Sequence, residues 1–256
     1  MEESCKKLAR AIETYIHPPT YPVAIKMLKA ESDIPAETER TIKTLGYQIA
    51  LCQGWGKARH NAECVAMLKE DNACPTPILS LGFAEPPDLW WKADLYRGWA
   101  TPNAEAAKRL ASEMPRLPVG QYVGVLMAPA GACNFEPDFI LLYCNPVQAL
   151  RLIGTALVQD GGKFPVSVWP MGVCTTLADA VLTGECQLGI PCFGDRKFAA
   201  TSDEEVVFVI PSVKFDEMTS SMKFYHENCH PITTARYVDG EVIFSREMYR
   251  KLRDMI

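Results

Sequence analysis

The sequence predicts an α/β chain, with α+β as the alternative, built as a mixed sheet with flanking helices. Short β-branched and aromatic runs, of which residues 139–143 and 206–210 are the most apolar, alternate with segments whose apolar residues recur at helical spacing. Proline, glycine and asparagine punctuate the boundaries, as at Pro18-Pro19, Gly82, Asn145-Pro146 and Gly161-Gly162. A pattern of strand, helix, strand and then a cysteine opening a short helix occurs twice.

Taken in order, residues 2–16 carry Leu8, Ile12, Tyr15 and Ile16 on one helical face, and His17-Pro18-Pro19 stops them. Residues 21–28 alternate and read as a strand, 46–60 as a helix and 64–68 as a strand. Cys74-Pro75 opens a short helix that Gly82 ends. Residues 86–118 form a Trp-rich connector with one polar helix at 104–113. Residues 122–127 and 139–143 are strands, and Asn145 caps a helix running to about residue 159. Residues 166–169 read as a strand, 174–182 as a short helix, and 187–190 and 206–210 as further strands. A long helix over 211–225 follows, and a short helix or strand closes the chain.

A chain of 256 residues, about half of them apolar, is long enough for one domain with a sizeable core, and residues 1–256 are read as a single domain. The net charge of −5 and the lack of a basic block argue against nucleic acid and anionic membrane as partners. The longest apolar runs are strand-sized, whereas a membrane span needs about 20 residues. The opening Met1-Glu2-Glu3-Ser4-Cys5-Lys6-Lys7 is unlike a secretion signal, so the expected location is the cytoplasm. There the ten cysteines stay thiols, and such a number suggests metal, cluster or thiol chemistry, set against their common role as small core hydrophobes.

Residues 1–100 set over 101–200 without gaps give 12 identities, where composition alone gives on the order of 6. The matched pairs include Val23/Val123, Met27/Met127, Gly54/Gly154, Cys74/Cys174 and Thr76/Thr176. An internal duplication is therefore expected, covering about 11–100 and 111–200, with a C-terminal extension over 201–256. Two similar strand-helix-strand-helix halves would be related by a pseudo-twofold axis. Cys74 and Cys174 would be equivalent and face one cleft, and helix starts would bias both toward thiolate.

Several motifs then fall in a recognisable order: Cys52-Gln53, Ala58-Arg59, Glu70-Asp71-Asn72-Ala73-Cys74-Pro75, Leu81-Gly82-Phe83-Ala84-Glu85-Pro86-Pro87, Tyr143-Cys144-Asn145-Pro146, Gly172-Val173-Cys174, Thr183-Gly184-Glu185 and Gly194-Asp195-Arg196. In order and spacing the chain resembles domain-of-unknown-function family 169 over roughly residues 10–215. The resemblance implies a cytoplasmic protein of anaerobic metabolism and no established activity. Its pattern matches at Cys52, Arg59, Glu70, Asp71, Cys74, Cys174, Asp195 and Arg196. It departs near the C-terminus, where this chain has Ser221-Met222-Lys223 and Ala235-Arg236-Tyr237-Val238.

The first candidate site is Cys52, Cys74 and Cys174 as metal ligands, joined by one of Cys144, Cys186 or Cys192, because soft thiolates suit an iron–sulfur cluster or zinc. No C-x-x-C is present, so the ligands must converge from distant loops. Arg59, Asp71 and Arg196 are candidates for binding a cofactor or an anionic ligand, since a guanidinium offers a bidentate fork. The run His226-Glu227-Asn228-Cys229-His230 would present three ligand types on one helical face, though a solvated helix end explains it equally. Trp55, Trp90, Trp91, Tyr96 and Trp99 read as core cover, or as a lid over a flat tetrapyrrole or flavin. The leading expectation is a redox or cofactor-handling protein with an iron–sulfur cluster or related metal centre in a cleft between halves. The alternative is a metal-free binding module or thiol enzyme for a small anionic metabolite. Either needs a small-molecule ligand or a redox partner, and the Trp-rich connector is a candidate homo-oligomer interface.

Overall fold

The computed structural model describes residues 1–92, 96–98, 100–166, 168–229 and 247–256. The elements run α1 (Glu2–Tyr15), β1 (Val23–Leu28), α2 (Thr41–Leu45), α3 (Leu51–Asn61), β2 (Val65–Leu68), α4 (Pro75–Ser80), α5 (Asp88–Trp91), α6 (Ala104–Glu113), β3 (Gly124–Pro129), β4 (Phe139–Cys144), α7 (Pro146–Ala156), α8 (Val173–Thr183), β5 (Gln187–Gly189), α9 (Phe193–Phe198), β6 (Val206–Pro211), α10 (Phe215–Asn228) and α11 (Glu247–Met255). The chain is of the α/β class. Residues 166, 168 and 169, expected in a strand, lie in irregular backbone.

The six strands form one sheet in the order β2-β3-β1-β4-β6-β5. Every neighbouring pair is antiparallel, so the sheet is not the mixed one expected. The reason lies in the crossovers. The path from β1 through α3 does lead to a parallel strand, β2, and the path from β4 through α7 and α8 leads to a parallel strand, β5. Each crossover skips one position, and an antiparallel strand, β3 or β6, fills it. β6 therefore lies inside the sheet, and residues 206–211 are not part of an appended extension.

The side chains of the strands alternate between two cores, as a period of two requires. Ile25, Met27, Val125, Met127, Leu141, Tyr143, Val207 and Val209 meet α3 and α8 on one face. Ala24, Ile140, Leu142, Phe208 and Ile210 meet α1, α7 and α10 on the other. Covering helices on both faces explain why β4 reads as a continuous apolar run. Asn145 caps α7 as expected, its side chain accepting from the Gln148 N–H at 2.9 Å. The helix expected over 46–60 starts only at Leu51, as α3, and Gly46 instead ends the preceding short helix α2, its φ of +77° lying in the left-handed region. Among the described residues no helix is long and apolar enough to cross a membrane.

The strand order reads alike outward from the central β1–β4 pair. β1 corresponds to β4, β3 to β6 and β2 to β5, each with matching relative direction. The helices follow the same correspondence. α3 and α8 each have eleven residues and pack on the same face, and each ends in a left-handed cap, Ala62 at φ +59° and Gly184 at φ +69°. α4 and α9 each have six. This correspondence aligns Cys52 with Cys174 and Cys74 with Cys192, rather than Cys74 with Cys174.

Asp71, a candidate ligand-binding group, is instead a fully buried structural tie. Its carboxylate accepts from Arg40 Nε at 2.9 Å, from the Ile42 N–H at 2.9 Å and from the Leu68 N–H at 2.7 Å. It thus joins the start of α2 to the end of β2. Asp71→Ala removes the buried member of the three carboxylates paired with Arg40, which keeps Glu31 and Glu70, and strands two N–H groups, and is expected to cost about 2–4 kcal/mol. A urea titration checks this: the midpoint falls while the slope is unchanged.

Candidate functional site

Four helix starts converge on one pocket of about 240 Å³, and each brings a cysteine. Cys52 is the second residue of α3 and Cys174 the second of α8, while Cys74 and Cys192 are the residues that precede α4 and α9. Pro75, locked at a helical φ, fixes the start of α4 directly after Cys74. The rest of the wall is mainly apolar, with Leu51, Pro77, Pro170, Met171 and Phe193 prominent. Phe193 and Phe198 are exposed beside it.

One carboxylate holds these parts together. Asp195 is buried, and its Oδ1 accepts from the Tyr143 hydroxyl at 3.0 Å and from Trp55 Nε1 at 3.4 Å. Its Oδ2 accepts from the Cys192 N–H at 3.1 Å, closing the first turn of α9. Gly172, which precedes α8, sits against the same turn with φ +72°. A Cβ there would lie 2.6 Å from the Cys192 nitrogen and 2.9 Å from Asp195 Oδ2, so only glycine permits this approach.

The electrostatics correct one expectation. Helix starts favour thiolates, yet burial and mutual repulsion outweigh them at Cys174, Cys52 and Cys192. Burial pushes the Cys174 thiol well above its ordinary value, and Cys74, Asp195, Cys52 and Cys192 add to the shift. Cys52 is raised by burial and then by Asp195, Cys192 and Cys74. Cys192 is pushed up to about 11, by burial first and Asp195 second.

The DUF169 family, described as uncharacterised ArCR, matches residues 11–221. The chain belongs to this family. An uncharacterised protein of Methanocaldococcus jannaschii is 27% identical over 209 residues, covering 80% of this chain and 88% of that one. No solved structure matches the chain.

In this DUF169 protein the other candidate residues lie away from the pocket. Arg59 is buried, pairs with Glu205 at 2.8 Å and stacks 3.8 Å from the centre of the Tyr143 ring. It therefore supports Asp195 through Tyr143 and does not line the pocket. Arg196 is bonded to the Ser202 carbonyl and lies 3.5 Å from Asp203, bracing the loop before β6. Asp71 and Asp195 do not share a site, because Asp71 is committed to Arg40, a residue not singled out in the sequence. Cys144 and Cys186 are buried in the core on the opposite face. Trp55 is core, Trp90 and Tyr96 form a separate cluster with Met171 at its edge, and Trp91 lies under Arg116. None of these aromatics lines the pocket as a lid. Trp99 and His230 lie outside the described residues, and His226 packs on Tyr15 at 5.1 Å. Among the described residues, no group of three or more His, Cys, Asp or Glu side chains is arranged to hold a metal ion.

With the pocket thiols free, the rate at which iodoacetamide labels Cys192 should rise about tenfold per pH unit. The rise should continue towards pH 11, since only the thiolate reacts and its thiol is pushed up to about 11. Peptide mapping after timed alkylation checks this, and a rate that levels off near neutral pH contradicts it.

Proposed function

We propose that this is a redox or cofactor-handling protein that holds an iron–sulfur cluster in the four-cysteine pocket. Cys52, Cys74 and Cys174 are its ligands, and Cys192 is the fourth. The observation that carries the reading is the convergence of four cysteines, each at a helix start, on a single apolar pocket.

Three features support this reading. Four thiolates are the usual ligand set of these clusters. The volume of about 240 Å³ is below the ~300–1,000 Å³ of pockets for drug-sized ligands, but ample for a small inorganic core. The charges fit as well. A cluster with its thiolates is an anion, which the N–H groups of helix starts favour. Thiols held in the protonated form by burial and repulsion ionise together when a bound cation offsets their charge.

When bound, such a cluster supplies one-electron exchange. The chain's own residues position and shield it: Pro77, Met171 and Phe193 exclude water, and Asp195 fixes the turn that presents Cys192. We read the mirrored strand order as an internal duplication about a pseudo-twofold axis between β1 and β4. Each half then contributes one cysteine from inside a helix start and one preceding a helix. The mouth beside exposed Phe193 and Phe198 is where a redox partner would dock. Binding of a small anionic metabolite has less support, because Arg59, Arg196 and Asp71 are engaged elsewhere.

Protein purified without oxygen should be brown, with iron and acid-labile sulfide in stoichiometric amounts. Cys74→Ser and Cys174→Ser should each lose most of the iron while keeping the circular dichroism of the parent. Protein that stays colourless after anaerobic reconstitution with iron and sulfide would sink the proposal.

A further inference from the structure

The core on the face of the sheet opposite the pocket holds a second, smaller thiol site. Cys5 lies in the first turn of α1 and Cys133 in the β3–β4 loop, and both are buried. Their sulfurs are 3.8 Å apart. Both also reach the carbonyl oxygen of Ala130, at 3.7 Å from Cys5 and 3.5 Å from Cys133. Two thiols thus share one acceptor and touch each other, where isolated core cysteines would pack singly against apolar groups.

We propose that Cys5 and Cys133 form a reversible disulfide on reaction with a hydroperoxide, linking α1 to the loop that follows β3. A disulfide bond is about 2.05 Å long, so the sulfurs must close by about 1.8 Å, within reach of side-chain rotation and a small backbone shift. Cys133 is the first nucleophile. The sulfur–sulfur contact with Cys5 holds its thiol below the ordinary value, and Lys6 acts in the same direction. That contact and burial hold Cys5 in the protonated form.

The Cys133 sulfur attacks one peroxide oxygen and the O–O bond breaks. A sulfenic acid forms on Cys133, and the departing hydroxide takes the proton that Cys133 lost, giving water. Cys5 then attacks the Cys133 sulfur, the S–O bond breaks, and the released hydroxide takes the Cys5 proton as a second water. In sum, two thiols and one hydrogen peroxide give one disulfide and two waters. The two electrons lost by the sulfurs reduce the peroxide. A small oxidant suits this site, because the thiols are reached only when the first turn of α1 frays. A dithiol reductant reverses the reaction. The site is separate from the pocket and does not depend on a cluster there.

The full-length protein is treated with hydrogen peroxide, alkylated under denaturing conditions and mapped by mass spectrometry. The expected product is a Cys5–Cys133 linked peptide, lighter by two hydrogens than its parts and released by dithiothreitol. Cys5→Ser should trap Cys133 as a sulfenic acid that dimedone captures. The mapping of the unmodified protein decides the matter even if that variant fails to fold. Recovery of Cys5 and Cys133 as alkylated thiols while other cysteines are oxidised would overturn the proposal. So would a link from Cys133 to Cys64, a thiol close enough to feel the charge of Cys133.

Discussion

The buried carboxylate of Asp195 is the tie on which the pocket depends. It meets the indole of Trp55 from α3, the hydroxyl of Tyr143 from β4 and the N–H that opens α9, while Gly172 brings the start of α8 against it. A buried charge is tolerated only when hydrogen bonds and a nearby counter-charge offset its lost hydration. Three donors meet the first need. Arg59, stacked on Tyr143 and paired with Glu205, brings positive charge close by without entering the pocket. The same residues that stabilise Asp195 therefore tie down the starts of α3, α8 and α9, which carry Cys52, Cys174 and Cys192.

That arrangement rests on the sheet. Each helical crossover spans a strand, so α3 and α8 lie side by side on one face instead of on opposite faces. Two helices entering from one end deliver Cys52 and Cys174 together, and the short helices after β2 and β5 deliver Cys74 and Cys192. The opposite face is closed by α1, α7 and α10, which leaves Cys5, Cys133, Cys144 and Cys186 in a separate core. Eight of the ten cysteines thus divide by sheet face into two groups with different surroundings.

Local chemistry was plain to read in the elements that depend on it. Asn145-Pro146, Cys74-Pro75 and the run of α6 each begin where caps and prolines dictate. Residues 166, 168 and 169 misled because β-branched and aromatic side chains suit a strand only where a neighbouring strand accepts them. The mirrored strand order was also masked. An ungapped offset of 100 aligned Cys74 with Cys174, whereas the starts of α3 and α8 pair Cys52 with Cys174. The better clue was the spacing of Cys52 to Cys64 and Cys174 to Cys186, identical in both, with Glu63 and Glu185 preceding the second cysteine of each.

By itself the sequence determined the class, most of the helix and strand boundaries, and three of the cysteines that line the pocket, since caps, turns and apolar periods are local properties of neighbouring residues. Tertiary structure alone decided three things. The sheet is antiparallel, because a crossover does not record how many strands it skips. Cys192 joins Cys52, Cys74 and Cys174, because convergence depends on how helices pack. Arg59, Asp71 and Arg196 are held by Glu205, Arg40 and the loop before β6, because the partner of a buried charge is chosen by packing across the fold and not by proximity along the chain.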